Sequence, residues 1–391
     1  MKKVLFFTYD FPFPITSGGK SRAYHLLKFS GEDCEVLLFS FVRDDFNNSY
    51  KLELEKLGIK KIWTFKRKGL KDIRNASGLV SPSFSIFRSL YFDKKIYKTF
   101  LDVVRSEKVD VVQYESFYTG FYMSEEIKEM GVRQIFGTEN IEYEIYQDYA
   151  KKTFPLLRPF YLWQAGKIKK EEEKFCKTAD ACLAVTEGEA EEIRESGARK
   201  TVVVENGIDD EYFSYQIPKK IVSKKILFVG NFSYFPNTDA INFFYNDVFK
   251  KFGQDYRLVV IGKKAQSLSL KNDARVQTIE FVKDIRDAYN NADVMVSPVR
   301  IGGGTNFKIL EAMASGLPVV AHPARLGGLG ALPEKHLLTA AVAEEFRKKI
   351  MRLFEDYPLR LALSKEARLF VEKNYTWKKI GSRLNDLWKN L

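Results

Sequence analysis

Short apolar runs alternate with amphipathic stretches along nearly the whole chain, without an internal repeat or a low-complexity tract. Runs of four to eight β-branched and aromatic residues predict strands at 3–9, 35–41, 61–65, 110–114, 133–137, 181–186 and 201–205. Helical patterns separate most of them. A second series begins at Lys225 with KILFVGN and continues through YRLVVIGK, VQTIEFV, ADVMVSPV and PVVAHP. Strands without polar alternation, separated by helices, predict parallel sheets covered on both faces. Between the series lies DDEYFSYQIPKKIVSK, polar and broken by Pro218, which reads as a hinge. The expected fold is therefore α/β: two Rossmann-like parallel-sheet domains facing across a cleft, with a ligand at the carboxyl ends of their strands.

One stretch carries chemistry. Val294 to Pro323 reads as strand, glycine loop, helix and second strand. Gly302, Gly303 and Gly304 precede a helix predicted to begin near Thr305, with Lys308 in its first turn. Glycines let a backbone approach a ligand, and the first helical turn offers free N–H groups and the positive end of the dipole. An isolated glycine loop makes only a turn. Here Lys308 and Glu311 share a helix face, Ile309, Leu310, Ala312 and Met313 form its apolar side, and Gly316-Leu317-Pro318 stops it before a buried strand. That arrangement suits a phosphate at the loop and a polyol further along the helix.

The segment GGGTNFKILEAMASGLPVV resembles the signature of retaining glycosyltransferases of the GT-B, family 4 type. Residues 12–27, 179–189, 202–213, 227–244 and 282–298 resemble further segments of that family, in the same order. The resemblance implies an N-terminal acceptor-binding domain over 1–208, the hinge at 209–224, a nucleotide-sugar domain over 225–374 and a final helix at 375–391 crossing back to the first domain. It implies Glu311 on the ribose hydroxyls, Lys308 and the loops at Gly18-Gly19 and Gly303-Gly304 on the diphosphate, and the backbone near Val282 on the base. Arg22, Gly230, Asn231, Thr305 and Asn306 complete the implied donor set.

Three departures from the family pattern stand out. Many relatives carry histidine where this chain has Glu139, beside Asn140; Glu139 and Glu142 can accept from sugar hydroxyls, Glu139 can act as a base on the acceptor, and Glu142 also reads as dipole compensation at a helix start. The first glutamate of the family's pair falls on Gly303, as in subgroups with a GxGTxxK loop. After KILFVG, where relatives place basic residues on the diphosphate, this chain has Asn231 and Phe232, so Lys308 is expected to supply the charge. Gly19-Lys20-Ser21 mimics the end of a nucleotide-triphosphate loop, but Pro14 stands where that motif needs glycine. No apolar strand ends in an acidic residue suited to magnesium.

Composition refines this picture. At 391 residues with 45% hydrophobic content the chain fits two cores. No apolar run approaches a membrane span and the start does not read as a signal peptide, so a cytoplasmic protein is expected. Cys34, Cys176 and Cys182 lack metal or disulfide spacing, and His25, His322 and His336 are scattered, so no metal site and no cofactor are expected. The net charge of +12 concentrates in residues 51–100, where thirteen Lys or Arg oppose four Asp or Glu. Basic residues interleaved with aromatics make residues 60–100 a candidate contact for the inner face of the cell membrane or a lipid-phosphate acceptor, and no nucleic-acid module is present. The expected activity is a metal-independent retaining transfer from a nucleotide sugar to a glycan or lipid-linked acceptor in cell-surface polysaccharide or glycoconjugate synthesis. A catalytically silent binding subunit and a nucleotide-sugar epimerase are the alternatives.

Overall fold

The structure is a computed structural model that describes every residue except 32, 70–75, 221–222, 271, 301–306 and 327, and the side chains of 76, 152 and 325. The chain divides into two compact units, Met1–Asn206 with Trp377–Leu391, and Gly207–Thr376.

The first unit is built on a parallel sheet of seven strands in the order β3-β2-β1-β4-β5-β6-β7. These are β1 (Lys2–Thr8), β2 (Cys34–Val42), β3 (Ile62–Lys66), β4 (Val111–Glu115), β5 (Arg133–Gly137), β6 (Ala181–Ala184) and β7 (Thr201–Val203). Central strands are mostly apolar because helices cover both faces, and Val4 to Phe7 are fully buried. Phe7 anchors one side of the core, with its ring 4.8 Å from Phe39 and 5.1 Å from Tyr122. The final helix, Trp377–Asn390, belongs to this unit. Trp388 Nε1 donates to Gln113 Oε1 at 2.6 Å, and Trp377 stacks on His25 with centroids 5.0 Å apart.

The second unit holds a parallel sheet in the order β10-β9-β8-β11-β12-β13. Its strands are β8 (Lys225–Val229), β9 (Arg257–Ile261), β10 (Val276–Ile279), β11 (Val294–Ser297), β12 (Val319–Ala321) and β13 (Leu338–Thr339). Five follow the apolar runs; β13 has only two residues and leaves no pattern to read. The polar segment 209–224 is not a free connector along its described length. Phe213 is buried in the second unit's core, Gln216 N donates to Ser315 O, and buried Arg360 donates to the carbonyls of Lys219 and Lys220. Satisfying those carbonyls straps the segment to its own unit.

Candidate functional site

In the second unit the helix Phe307–Ala314 stands between β11 and β12. Its apolar face, Ile309, Leu310, Ala312 and Met313, is fully buried and leaves Lys308 and Glu311 on the other side. Lys308 Nζ donates to Asn237 Oδ1 at 2.8 Å and lies 4.9 Å from the centroid of the Phe228 ring. Glu311 Oε2 accepts from the Tyr289 hydroxyl at 2.6 Å. Burial pushes the Glu311 carboxyl above its ordinary range, opposed by the Tyr289 bond and the Lys308 charge.

Around Lys308 the strand ends are closely packed. Gly230 N donates to Ile261 O, and Phe232 N to Lys263 O, joining the loops after β8 and β9. Gly262 has φ +136°, and a Cβ there would stand 1.9 Å from Gly230 O, so only glycine fits. Asn231 is turned into its own loop: Oδ1 accepts from Ser233 N, while its carbonyl accepts from Asn237 Nδ2. Val282 packs at the edge of the core that includes Met313 and Tyr289. Gly303, Gly304, Thr305 and Asn306 lie outside the described residues.

The first unit assembles a different group. The helix Gly18–Phe29 follows β1, with Ser17 as its N-cap. Gly19 sits against Glu139 and Tyr9, where a Cβ would stand 2.6 Å from both Glu139 Oε2 and the Tyr9 hydroxyl. Arg22, implied in the donor set, lies among buried groups of the first unit. It is 1% exposed; Nε donates to Glu115 Oε1 at 2.7 Å, and Nη1 donates to Val204 O, Glu205 O and Asn206 Oδ1. These bonds hold the guanidinium inside the unit, while Nη2 is shielded from solvent and makes no hydrogen bond.

Glu139 is poised otherwise. Its Oε1 is shielded from solvent and accepts no hydrogen bond. Burial, followed by the Glu115 charge, lifts its pKa to about 7, with Arg22 opposing and Glu142 adding to the rise. Glu142 accepts from the Tyr118 hydroxyl at 2.6 Å, and burial pushes its carboxyl up as well. Compensation at this helix start comes from Glu172, which accepts from the N–H groups of Glu142 and Tyr143 at 2.8 and 3.0 Å. Glu115 ends β4, and Gln113 Nε2 joins Arg22 in holding it. Glu115 gives β4 an acidic end one residue beyond the run expected at 110–114.

The remaining candidates have structural surroundings. His322 Nδ1 accepts from Ala324 N, His336 stacks on Phe370, and the three cysteines are free and buried. Lys66 pairs with Asp44, Arg67 donates to the Tyr91 hydroxyl, and Lys68 donates to the carbonyls of Ser89 and Phe92. Among the aromatics of that region, Tyr91 and Phe100 are core residues.

Two family profiles match the chain without overlap: one described as Glycosyltransferase Family 4 over residues 52–212, the other as Glycosyl transferases group 1 over 223–356. The chain is a glycosyltransferase of the GT-B type. A 44.6 kDa uncharacterized protein of the Klebsiella pneumoniae cps region is 22% identical over 98% of this glycosyltransferase and 99% of its own length. An uncharacterized glycosyltransferase of Methanocaldococcus jannaschii is 25% identical, but the match spans 50% of this chain and 57% of that relative. Sucrose-phosphate synthase of Thermosynechococcus elongatus shares the fold with a TM-score of 0.74 at 15% identity, over 100% and 99% of the two chains. HepE of Anabaena, solved with UDP-glucose, shares it with a TM-score of 0.64 at 14% identity over 100% of both.

Proposed function

We propose that this glycosyltransferase is a metal-independent retaining enzyme that takes its sugar from a nucleotide diphosphate sugar bound on the second unit. The observation that carries the reading is the pairing of Lys308 and Glu311 on one helix face, each held by a partner from another element. A carboxylate fixed by Tyr289 is suited to vicinal ribose hydroxyls, and a lysine fixed by Asn237 to phosphate oxygens. HepE, which shares the fold, has been solved with UDP and with UDP-glucose, which favours a nucleotide-sugar donor.

In the proposed transfer the bond between the anomeric carbon and the diphosphate oxygen breaks, and its electron pair stays on the phosphate. Lys308 and backbone N–H groups stabilise that charge, so the step requires no metal. The acceptor hydroxyl oxygen forms the new bond and gives up its proton. Glu139, with a pKa of about 7, is suited to receive it near neutral pH. The acceptor is a glycan or a lipid-linked glycan of cell-surface polysaccharide synthesis.

A thermal-shift screen of UDP, GDP and ADP with their common sugars tests the donor assignment. At least one should raise Tm, and Lys308→Ala and Glu311→Ala should abolish that rise. No shift with any donor, or a shift that survives both substitutions, overturns it. Activity that persists in EDTA and a product with the donor's anomeric configuration by NMR are the further expected outcomes.

A further inference from the structure

Several of the large apolar side chains exposed on the first unit gather at one place. The helices Glu142–Lys152 and Arg158–Thr178 pack as a hairpin, closed by a tight turn at Pro155–Leu157. At the turn Phe154 is 69% exposed and Leu156 81%, with Leu157 beside them. Tyr149 and Tyr161 cross the hairpin with ring centroids 4.8 Å apart, and Leu162 and Trp163 continue the surface. Lys167 Nζ donates to Gly78 O and Ser81 O, which ties the short helix Ala76–Val80 alongside and adds exposed Val80.

This is an inversion of helix logic. The helix Arg158–Thr178 buries Ala165, Ile168 and Phe175 from its middle onward, while its most apolar turn, FYLW, projects beyond the core. Isolated exposed apolar residues are ordinary, but a contiguous cluster at a hairpin tip is costly to keep in water and marks a surface with a partner.

The charge around the tip says which partner. Residues 149–170 contain six Lys or Arg and no Asp or Glu. Arg158, Lys169 and Lys170 are exposed there, while Lys151 is paired with Asp148. Two copies meeting through this patch would bring like-charged rims together. A bilayer with anionic headgroups would instead take the leucines and phenylalanine into its acyl boundary, seat Trp163 and the tyrosines at headgroup level and attract the basic residues. Among the described residues no helix is long and apolar enough to cross a membrane, so the contact would be one of lying on the surface.

We propose that the hairpin tip, Phe154 to Trp163 with its flanking basic residues, docks this enzyme on an anionic lipid surface. Residues 60–100 are a poorer candidate because Lys66, Arg67 and Lys68 are engaged within the unit. The proposal is independent of the donor assignment, since docking needs no nucleotide.

Cosedimentation of the full chain with vesicles tests it, comparing phosphatidylcholine alone with phosphatidylcholine mixed with phosphatidylglycerol. Binding is expected to the mixed vesicles and to weaken with salt. The double variant Leu156→Glu, Leu157→Glu should lower the bound fraction by about tenfold or more with an unchanged thermal melt, because both side chains are already in solvent. Arg158→Ser with Lys169→Ser and Lys170→Ser should weaken binding several-fold and flatten its salt dependence. Lys94→Ser with Lys95→Ser and Lys98→Ser, exposed basic residues elsewhere on the unit, should leave binding intact. Failure of the wild type to bind mixed vesicles overturns the proposal, as does retained binding in the leucine variant or an equal loss in the Lys94 variant. A dimer in sedimentation equilibrium that the leucine variant splits would assign the patch to a second copy and overturn it too. Neither result would touch the nucleotide-induced shift that tests the donor site.

Discussion

The two units hold their acidic residues in opposite ways. In the second, Glu311 is half-buried and bonded to Tyr289, and Lys308 lies close enough to lower its pKa. In the first, Glu139 has a shielded oxygen without a partner, and of the charges that reach it two are carboxylates and only Arg22 is positive. A carboxylate fixed by a donor is suited to recognise hydroxyls as an acceptor. One that is buried and then crowded by like charges holds its proton into the neutral range and can exchange it there. The contrast separates binding from proton transfer by physical environment, although both residues are glutamates, one in the loop after β5 and one within a helix.

Arg22 is the test of largest effect. It is the cation that offsets the charge of Glu115, both side chains being 1% exposed. Arg22→Met should destabilise the protein by about 3–5 kcal/mol in denaturant unfolding, since a buried carboxylate is left facing only Gln113. It should also raise the Glu139 pKa above its value of about 7, because the opposing charge is gone. A loss below about 1 kcal/mol would show that solvent reaches Glu115 and would break the contrast.

Next comes the pH dependence of Glu139 itself. Its folded pKa, about 7, lies above the ordinary 4.5, so folding favours the protonated form. The resulting penalty is absent below pH 4.5, grows as pH rises from there to about 7, and is complete above that. Glu139→Gln removes it, so the variant should match wild type near pH 4 and exceed it by up to about 3 kcal/mol at pH 8. Glu189 is also lifted to about 7 and titrates in the same window, so the difference between the two unfolding curves is the quantity to measure. Transfer activity should fall in the same variant. Parallel stability curves across pH 4 to 8 would remove Glu139 as a proton-holding group.

How far the sequence reveals these two groups depends on the distance over which each is assembled. Strands were legible because buried parallel strands are unbroken apolar runs, as in VLFF of β1 and VMVS of β11. Lys308 and Glu311 were legible because three residues of helix place them together. Their partners were not: Asn237 lies 71 residues from Lys308, and Tyr289 lies 22 from Glu311. The partners of Arg22 were hidden for the same reason. A basic residue early in a helix after glycines reads as a phosphate ligand, and only folding delivers Val204, Glu205 and Asn206, more than 180 positions on, to accept from its Nη1. Glu172 and Tyr9 had no local signal at all. The exposed FYLW turn could have been suspected, because its apolar run precedes rather than shares the face that Ile168 and Phe175 bury.

The smallest expected effect falls on the second unit. Tyr289 is buried in the core with Met313 and Leu310, so Tyr289→Phe keeps the ring packing and removes only the hydroxyl. The lost bond to a charged acceptor should cost about 1.5 kcal/mol, at the low end because Glu311 is only half-buried and water can partly replace the donor. The Tyr289 bond also lowers the Glu311 pKa, so without it the carboxyl moves further up. A donor that needs the carboxylate should then lose affinity at a higher pH on acidification than in wild type, with a several-fold weaker Kd at neutral pH by calorimetry. If Tyr289→Phe left both the stability and the pH at which donor binding fades unchanged, Glu311 would not be held by this bond. The distinction between a fixed recognition carboxylate and a crowded proton-holding one would then rest on Glu139 alone.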